Sequence, residues 1–473
     1  MSSCCSPKSA PAREASRPSS GSSLPVAIIG GGPVGLAAAA HLIQYGLNPV
    51  IFEAADSVGS APLAWGHVHM FSPWQYNVDR ASRALLERQG WTAPDADGYP
   101  TGRELAEQYL LPLAQTPEIA RCLRLNTRVT GIARFRTGKV KNALREQQPF
   151  EIRFEEQGGS EARLLAGAVI VATGTWGQSA PAGASGLPAI GERAAHRQIR
   201  YGMPDVLGAE RSRYAGKKVL VIGTGHSAIG TLVDLASLAA QEPGTTVVWA
   251  MRRAQPGHVY GGGSADQLPE RGALGQRLKQ LVIAGRVELL TPFAVDEIRA
   301  EGEMLDVRDA DGHAVQVDEM IVATGLRPDL QILRELRLDL DSSLECPREL
   351  APLIDPNLHS CGTVRPHGAE ILAQPDTGLY IAGMASYGRA PTFLMATGYE
   401  QVRSIAAWLA GDIEAARRVE LELPETGVCS ADRGVSGQSA SGSSCCAPAE
   451  VVETSNCCTP AAPAEKASCC TPS

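Results

Sequence analysis

Two glycine-rich turns, each set between a short apolar run and a small-residue-rich stretch, constrain this chain more than any other feature. The first joins Val26-Ala27-Ile28-Ile29 to Gly30-Gly31-Gly32-Pro33-Val34-Gly35, runs on through alanines to about Tyr45, and is followed by Pro49-Val50-Ile51-Phe52 and then Glu53. This is strand, turn, helix, strand and terminal acid, the context in which GxGxxG marks a dinucleotide-binding βαβ unit. Gly30 permits the tight turn, Gly32 lets backbone approach a pyrophosphate, and Gly35 lets helix pack on strand. The helix N-terminus adds partial positive charge for phosphates. Glu53 is suited to accept both hydroxyls of an adenosine ribose.

The second unit repeats the pattern with two changes. Lys218-Val219-Leu220-Val221-Ile222 leads into Gly223-Thr224-Gly225-His226-Ser227-Ala228, a GxGxxA turn, and the next strand, Thr246–Ala250, ends in Met251-Arg252-Arg253. An acid there would repel a 2′-phosphate, whereas a guanidinium pairs with one bidentately, so Arg252 and Arg253 point to NADPH over NADH. The alternative is an ordinary solvated strand end. Two further segments, Val169-Ile170-Val171-Ala172-Thr173-Gly174 and Met320-Ile321-Val322-Ala323-Thr324-Gly325, each end a buried strand in small residues that let chain pass closely between domains.

Composition narrows the class. The 473 residues carry a net charge of −8 with no basic run, which argues against nucleic acid or an anionic membrane surface as partner. The most apolar stretch, residues 26–50, is interrupted by glycines, Pro33, His41 and Gln44, so no membrane span is expected. The first twenty residues lack the apolar core of a signal peptide, and a cytoplasmic protein is the expectation. Surface apolarity is not legible here, which leaves a homo-oligomer open.

Nine of the twelve cysteines lie in the two ends, and no CxxC occurs, which argues against a disulfide scaffold, a zinc finger and a body-borne redox dithiol. Residues 1–23 and 424–473 are rich in Ser, Pro, Ala and Gly and are expected to be disordered. The second of these carries Cys445-Cys446, Cys457-Cys458 and Cys469-Cys470, each pair twelve residues after the last. Adjacent thiolates are a soft chelate, so the repeat reads either as soft-metal or metalloid capture or as low-complexity sequence.

The two turns, the two Ala-Thr-Gly segments and the late Thr377-Gly378-Leu379-Tyr380-Ile381-Ala382-Gly383 together resemble the flavoproteins with two dinucleotide-binding domains, a superfamily that includes thioredoxin-reductase-like enzymes and flavin-containing monooxygenases. The resemblance covers nearly all of 24–423. It implies an α/β fold in which an FAD-binding Rossmann-like domain (24–205 and 346–423) holds an inserted NADPH-binding Rossmann-like domain (206–345), flanked by disordered tails. It implies FAD on Gly30, Gly32, Pro33, Val34, Gly35 and Glu53. NADPH falls on Gly223, Gly225, His226, Ser227, Arg252 and Arg253, with Thr173, Gly174, Thr324 and Gly325 at the crossovers. Gly383, Met384 and Thr392 fall on the flavin side, and a helix from Thr392 to Leu409 points its N-terminus at the flavin. Many relatives carry an Asp where this chain has Met384.

The absence of CxxC favours the monooxygenase branch, in which NADPH reduces the flavin and O₂ then reacts with it. Gly223–Ala228 resembles that branch's second turn. Trp74-Gln75-Tyr76-Asn77 lies where the branch places an Asn beside the flavin, and Tyr99-Pro100-Thr101 before a helix over 102–114 fits the same region. The branch's FxGxxxHxxx[FY] signature is degenerate here, with Ile190-Gly191, His196 and Tyr201 out of register. Residues 359–403 are similar to flavin monooxygenases of arsenic-resistance systems. That resemblance implies a trivalent arsenic or antimony substrate, with O₂ as co-substrate and the tail pairs as its thiol ligands. Other readings remain: a disulfide reductase using tail cysteines, or an amine or sulfide monooxygenase.

Several polar residues complete the candidate site. Cys361, Arg365 and His367 precede the late strand, where a soft thiol and two cations suit a metalloid oxyanion. Tyr387, Arg389 and Phe393 lie on the loop into the flavin-facing helix. His67 and His69 are either cofactor-facing or hydrogen-bonded structural residues. The Gly-rich loop 254–272 is either a cover over NADPH or a connector.

Overall fold

In the computed structural model, which describes residues 24–261, 269–358, 367–390 and 393–421, the apolar runs beside each turn become the centre of a parallel sheet. Along the chain, Val26–Ile29 (β1), Pro49–Phe52 (β2) and Leu123–Arg124 (β3) come first. An antiparallel trio of Thr127–Arg134 (β4), Phe150–Glu156 (β5) and Glu161–Ala166 (β6) follows, and Ala168–Val171 (β7) returns to the first sheet. Ile199–Tyr201 (β8), Lys218–Ile222 (β9), Thr246–Ala250 (β10) and Glu288–Leu290 (β11) open the second sheet. A second trio, Val295–Glu301 (β12), Met304–Asp309 (β13) and Ala314–Val317 (β14), precedes Glu319–Val322 (β15). Leu379–Ile381 (β16) then comes back to the first sheet.

The two sheets have the same plan. The first runs β16-β7-β1-β2-β3, and the second runs β8-β15-β9-β10-β11. Each is parallel throughout, with an antiparallel trio inserted before the strand that returns beside the centre. The chain joins the second sheet at β8, upstream of residue 206, because Ile199–Tyr201 supplies that sheet's edge beside β15.

Period-two patterning assigns the faces. Ile28, Ile51 and Ile170 point to the side covered by helix Pro33–Gln44 (α1), while Ala27, Ile29, Val169 and Val171 point to Phe150, Ile152 and Phe154 of the trio. In the second lobe Val219, Val221 and Val247 face helix His226–Gln241 (α2), and Leu220, Ile222 and Val248 face the second trio. Strands buried on both faces read as continuous apolar runs, as these do. Ala37, Ala38, Ala39 and Ala40 make α1 slim all round, so it packs on the sheet and on helix Met395–Ala410 (α3) together.

One buried ionic knot pins the entry to β16. Asp376 accepts from Arg134 Nε at 3.1 Å, from Arg145 Nε at 3.0 Å and Nη2 at 2.9 Å, and from the Arg337 backbone N–H at 2.7 Å. Arg134 also donates to the Thr377 carbonyl and lies over the Phe150 ring at 3.8 Å. Burial pushes the Asp376 carboxyl up, but Arg145, the Arg337 N–H and Arg134 outweigh it and hold it below the usual carboxylate range. The strand that carries the late glycine is thereby tied to β4 and to the chain returning from the second lobe.

Candidate active site: two nucleotide turns and a late glycine

Both turns are built alike. Gly30 has φ +110°, and a Cβ on it would stand 2.6 Å from the Ala172 carbonyl oxygen. Gly223 has φ +134°, and its Cβ would overlap the Ala323 oxygen. The two Ala-Thr-Gly segments therefore lie directly against the first glycine of each turn, held by Ala172 N–H to Ile29 and Ala323 N–H to Ile222. Gly32 and Gly225 open onto space, since a Cβ on either meets nothing within 4 Å. The residues thus fit a dinucleotide in each turn, with backbone closed below and a cradle open above.

The helices that begin at these points carry no side-chain cap. α1, α2 and α3 start after Gly32, Gly225 and Leu394, none of which is bonded to the first-turn N–H groups through its side chain. Side chains cap Arg80–Glu87, Gly102–Leu105 and Ile413–Arg417, through Asp79, Thr101 and Asp412, whereas other short helices such as Pro117–Ala120 and Ala369–Leu372 also lack such a cap. Uncapped N–H groups joined to a helix dipole form an anion site.

Glu53 closes the first turn. Its carboxylate accepts from Gly31 N–H at 2.7 Å and Ala55 N–H at 2.9 Å, and each oxygen keeps a lone pair for a ribose hydroxyl. The corresponding position in the second lobe is Met251, which is buried, and the cation comes one residue later. Arg252 donates to the Ala184 carbonyl at 2.7 Å, in the stretch joining β7 to β8, and Arg253 is exposed.

The late glycine joins the first turn to α3. Gly383, at φ +68°, lies against Val34, so a Cβ there would be 3.1 Å from Val34 Cγ2. A Cβ on Gly398 would be 2.7 Å from the same methyl and 2.8 Å from the Phe393 ring. Pro33-Val34, Gly383-Met384 and the first turn of α3 therefore converge. The helix begins at Met395; the earlier start anticipated at Thr392 falls on a residue outside those described.

Other expected residues fall in different places. Asn77 is buried and exchanges hydrogen bonds with Ser72, through Oδ1 at 2.8 Å and Nδ2 at 2.7 Å, while its carbonyl accepts from Tyr399. His367 is buried, bonded to Gln401, and its ring lies tilted against that of Tyr387 at 5.7 Å. Tyr387 packs edge-on against Phe393, and Arg389 is exposed. Thr173, Thr324 and Gly325 are exposed at the crossovers, with Thr324 donating to the Ala180 carbonyl. Cys361, Arg365, Thr392 and all six paired tail cysteines lie outside the described residues, as does 262–268 of the Gly-rich loop.

Sequence reasoning missed the contact between the lobes. Phe71 meets the His226 ring edge-on at 5.3 Å. The His/Trp/Met-rich segment thus reaches the second nucleotide turn. Among the described residues the thiols are Cys122 and Cys346, both buried, and burial pushes them up to about 11 and about 12. Neither is a usable thiolate near neutral pH.

Comparison with known proteins agrees with this geometry. The profile of a family described as pyridine nucleotide-disulphide oxidoreductase matches residues 27–349. A ferredoxin–NADP reductase of Lactobacillus gasseri is 25% identical over 329 residues, covering 67% of this chain and 79% of that one. The bacillithiol disulfide reductase of Bacillus cereus superposes with a TM-score of 0.57 at 19% identity, over 84% of this chain and 99% of that one. An FAD-bound cadaverine monooxygenase of Erwinia amylovora superposes with 0.56 at 14% identity, over 89% and 99%. At these identities the two solved structures speak for the fold alone.

Proposed function

We propose that this chain, which belongs to the pyridine nucleotide-disulphide oxidoreductase family, is a monooxygenase that oxidises trivalent arsenic or antimony to the pentavalent form. At the coarser level it is a flavin-dependent oxidoreductase whose cofactors are FAD and NADPH. We assign FAD to the lobe of 24–205 and 346–423 and NADPH to 206–345. Among the described residues no helix is long and apolar enough to cross a membrane.

The observation that carries the substrate reading is the placement of thiols. The described body thiols are buried and protonated, whereas three Cys pairs recur at twelve-residue spacing in the tail. Trivalent arsenic and antimony are soft and take thiolate ligands. Each adjacent Cys pair would supply two such ligands at once.

When bound, NADPH supplies a hydride to the flavin, and the reduced flavin supplies electrons to O₂. One oxygen atom would go to the metalloid, which gives up two electrons; the other would leave as water, taking the hydride equivalent of NADPH and one proton from solvent. The chain's part is placement. The N-terminus of α1 and the Gly32 cradle would hold the pyrophosphate, and the N-terminus of α3 would favour negative charge on the flavin. Glu53 orients the ribose, and Gly225 with the start of α2 holds the second pyrophosphate. Arg252 and Arg253 take the 2′-phosphate. Replacing both with Ala is expected to raise KM for NADPH at least tenfold and that for NADH less than twofold, measured by steady-state oxidation of each.

The direct test follows O₂ uptake and NADPH loss by the yellow protein with arsenite, antimonite or methylarsonous acid. Stimulation of both by one of these, matched by pentavalent product, is the expected result. Removing residues 424–473 is expected to raise KM for the metalloid at least tenfold with little change in kcat. If no arsenical or antimonial stimulates either signal, the metalloid reading fails; NADPH loss driven by a disulfide without O₂ uptake would assign a reductase.

A further inference from the structure

Gln401 lies on α3 one helical turn beyond Gly398, fully buried, and its side-chain amide gathers three separate elements. Its Oε1 accepts from the Gly383 N–H at 2.7 Å. Its Nε2 donates to His367 Nε2 at 2.7 Å and to Ser386 Oγ at 2.9 Å. Ser386 in turn donates to the Gly383 carbonyl at 2.7 Å. Both backbone groups of Gly383 are therefore held by one two-residue device. Since His367 Nε2 accepts here, the ring carries its proton on Nδ1. Ser386 is fully buried and His367 is 3% exposed, so water is a poor substitute partner for either.

We propose that Gln401 is a positioning residue for FAD, setting the turn Gly383–Tyr387 against Val34 and the start of α1. His367 acts through it as a structural brace, not as a group that meets substrate. The geometry carries this because the Gln401–Ser386 pair meets both the N–H and the carbonyl of Gly383. Its φ of +68° is a conformation that glycine reaches without steric cost, and the nearest atoms to a Cβ placed there belong to Val34. A flavin held by both the turn and the start of α1 would lose the alignment of two anchors at once if Gly383 shifted relative to Val34. An apolar residue at 401 would leave the Gly383 N–H without a partner, and relaxation of the turn toward other partners would follow.

The inference rests on FAD occupying the first lobe, and the experiment separates the two. Flavin is stripped from the full-length protein and rebound, giving a dissociation constant from fluorescence quenching and the rise in unfolding temperature on loading. For Gln401→Leu the expected result is a dissociation constant at least tenfold higher and a smaller flavin-induced rise. A structural role alone would lower the unfolding temperatures of the stripped and loaded forms in parallel and leave the constant unchanged, and that outcome overturns the proposal. If Gln401→Leu does not fold, Ser386→Ala carries the test. It keeps the Gln401 bonds to Gly383 and His367, so a rise of about threefold supports the proposal and no change overturns it. A wild-type protein that fails to rebind FAD would refute the flavin assignment itself.

Discussion

A Gly35→Val protein is expected to purify without flavin and to unfold at a markedly lower temperature than the wild type. Gly35 sits in the first turn of α1, where a Cβ would overlap the Gly30 carbonyl oxygen and touch Ile28 Cγ2 at 3.4 Å. The obstructing atom is backbone, and Gly30 cannot retreat because Ala172 lies behind it at 2.6 Å from its own would-be Cβ. The helix must move off the sheet, costing at least the ~1–3 kcal/mol of ordinary overpacking and withdrawing the uncapped N–H groups from the phosphates. Gly32→Ala is the matched control. A Cβ there meets no protein atom within 4 Å, so the stripped protein should melt like the wild type while flavin affinity drops. The flavin absorbance band and thermal unfolding of both variants check this; a yellow Gly35→Val protein would mean that the turn is looser than described.

The second large effect falls on stability. Asp376→Asn should cost about 3–5 kcal/mol, because Arg134 and Arg145 would be left as buried charges without a counter-ion. The side chains of all three residues are at most 3% exposed, so solvent offers little screening. The same knot gives the wild type a pH signature. The folded carboxyl sits below its unfolded value of about 3.9, so its contribution is complete above that value and is lost as pH falls through the folded pKa. Urea unfolding between about pH 2 and 6 should show that acid slope in the wild type and a flatter one in Asp376→Asn. Equal slopes would exclude Asp376 as its source.

What the sequence made legible was local. The run from Val26 to Glu53 and its counterpart from Lys218 to Arg253 contain strand, turn, helix and strand within a few dozen residues, and each boundary is marked by a glycine, a proline or a change of period. The antiparallel trios carry no such marker. β4 and β5 find each other across a turn-rich stretch, and their patterning says only that one face is buried. Partners hundreds of residues apart leave no trace in either of their neighbourhoods. Arg134 meets Asp376, and Tyr399 meets Asn77, through folding of the whole chain. Gln401 illustrates the limit: a glutamine within an alanine-rich helix reads as a surface residue, and only the approach of Gly383 and His367 makes it an anchor.

The absence of a side-chain cap at the start of α1, α2 and α3 has a consequence for the life of the protein in a cell. A helix start that no side chain of the folded chain caps gains stability when a ligand caps it. Binding that favours the native state adds RT ln(1 + [L]/Kd), about 2.7 kcal/mol when the ligand stands at a hundred times its dissociation constant. Quality control in the cell samples the unfolded fraction, which that increment lowers by about two orders of magnitude. Flavin-starved cells should therefore hold less of this chain at the same rate of synthesis, so that its abundance follows vitamin supply with no dedicated sensor.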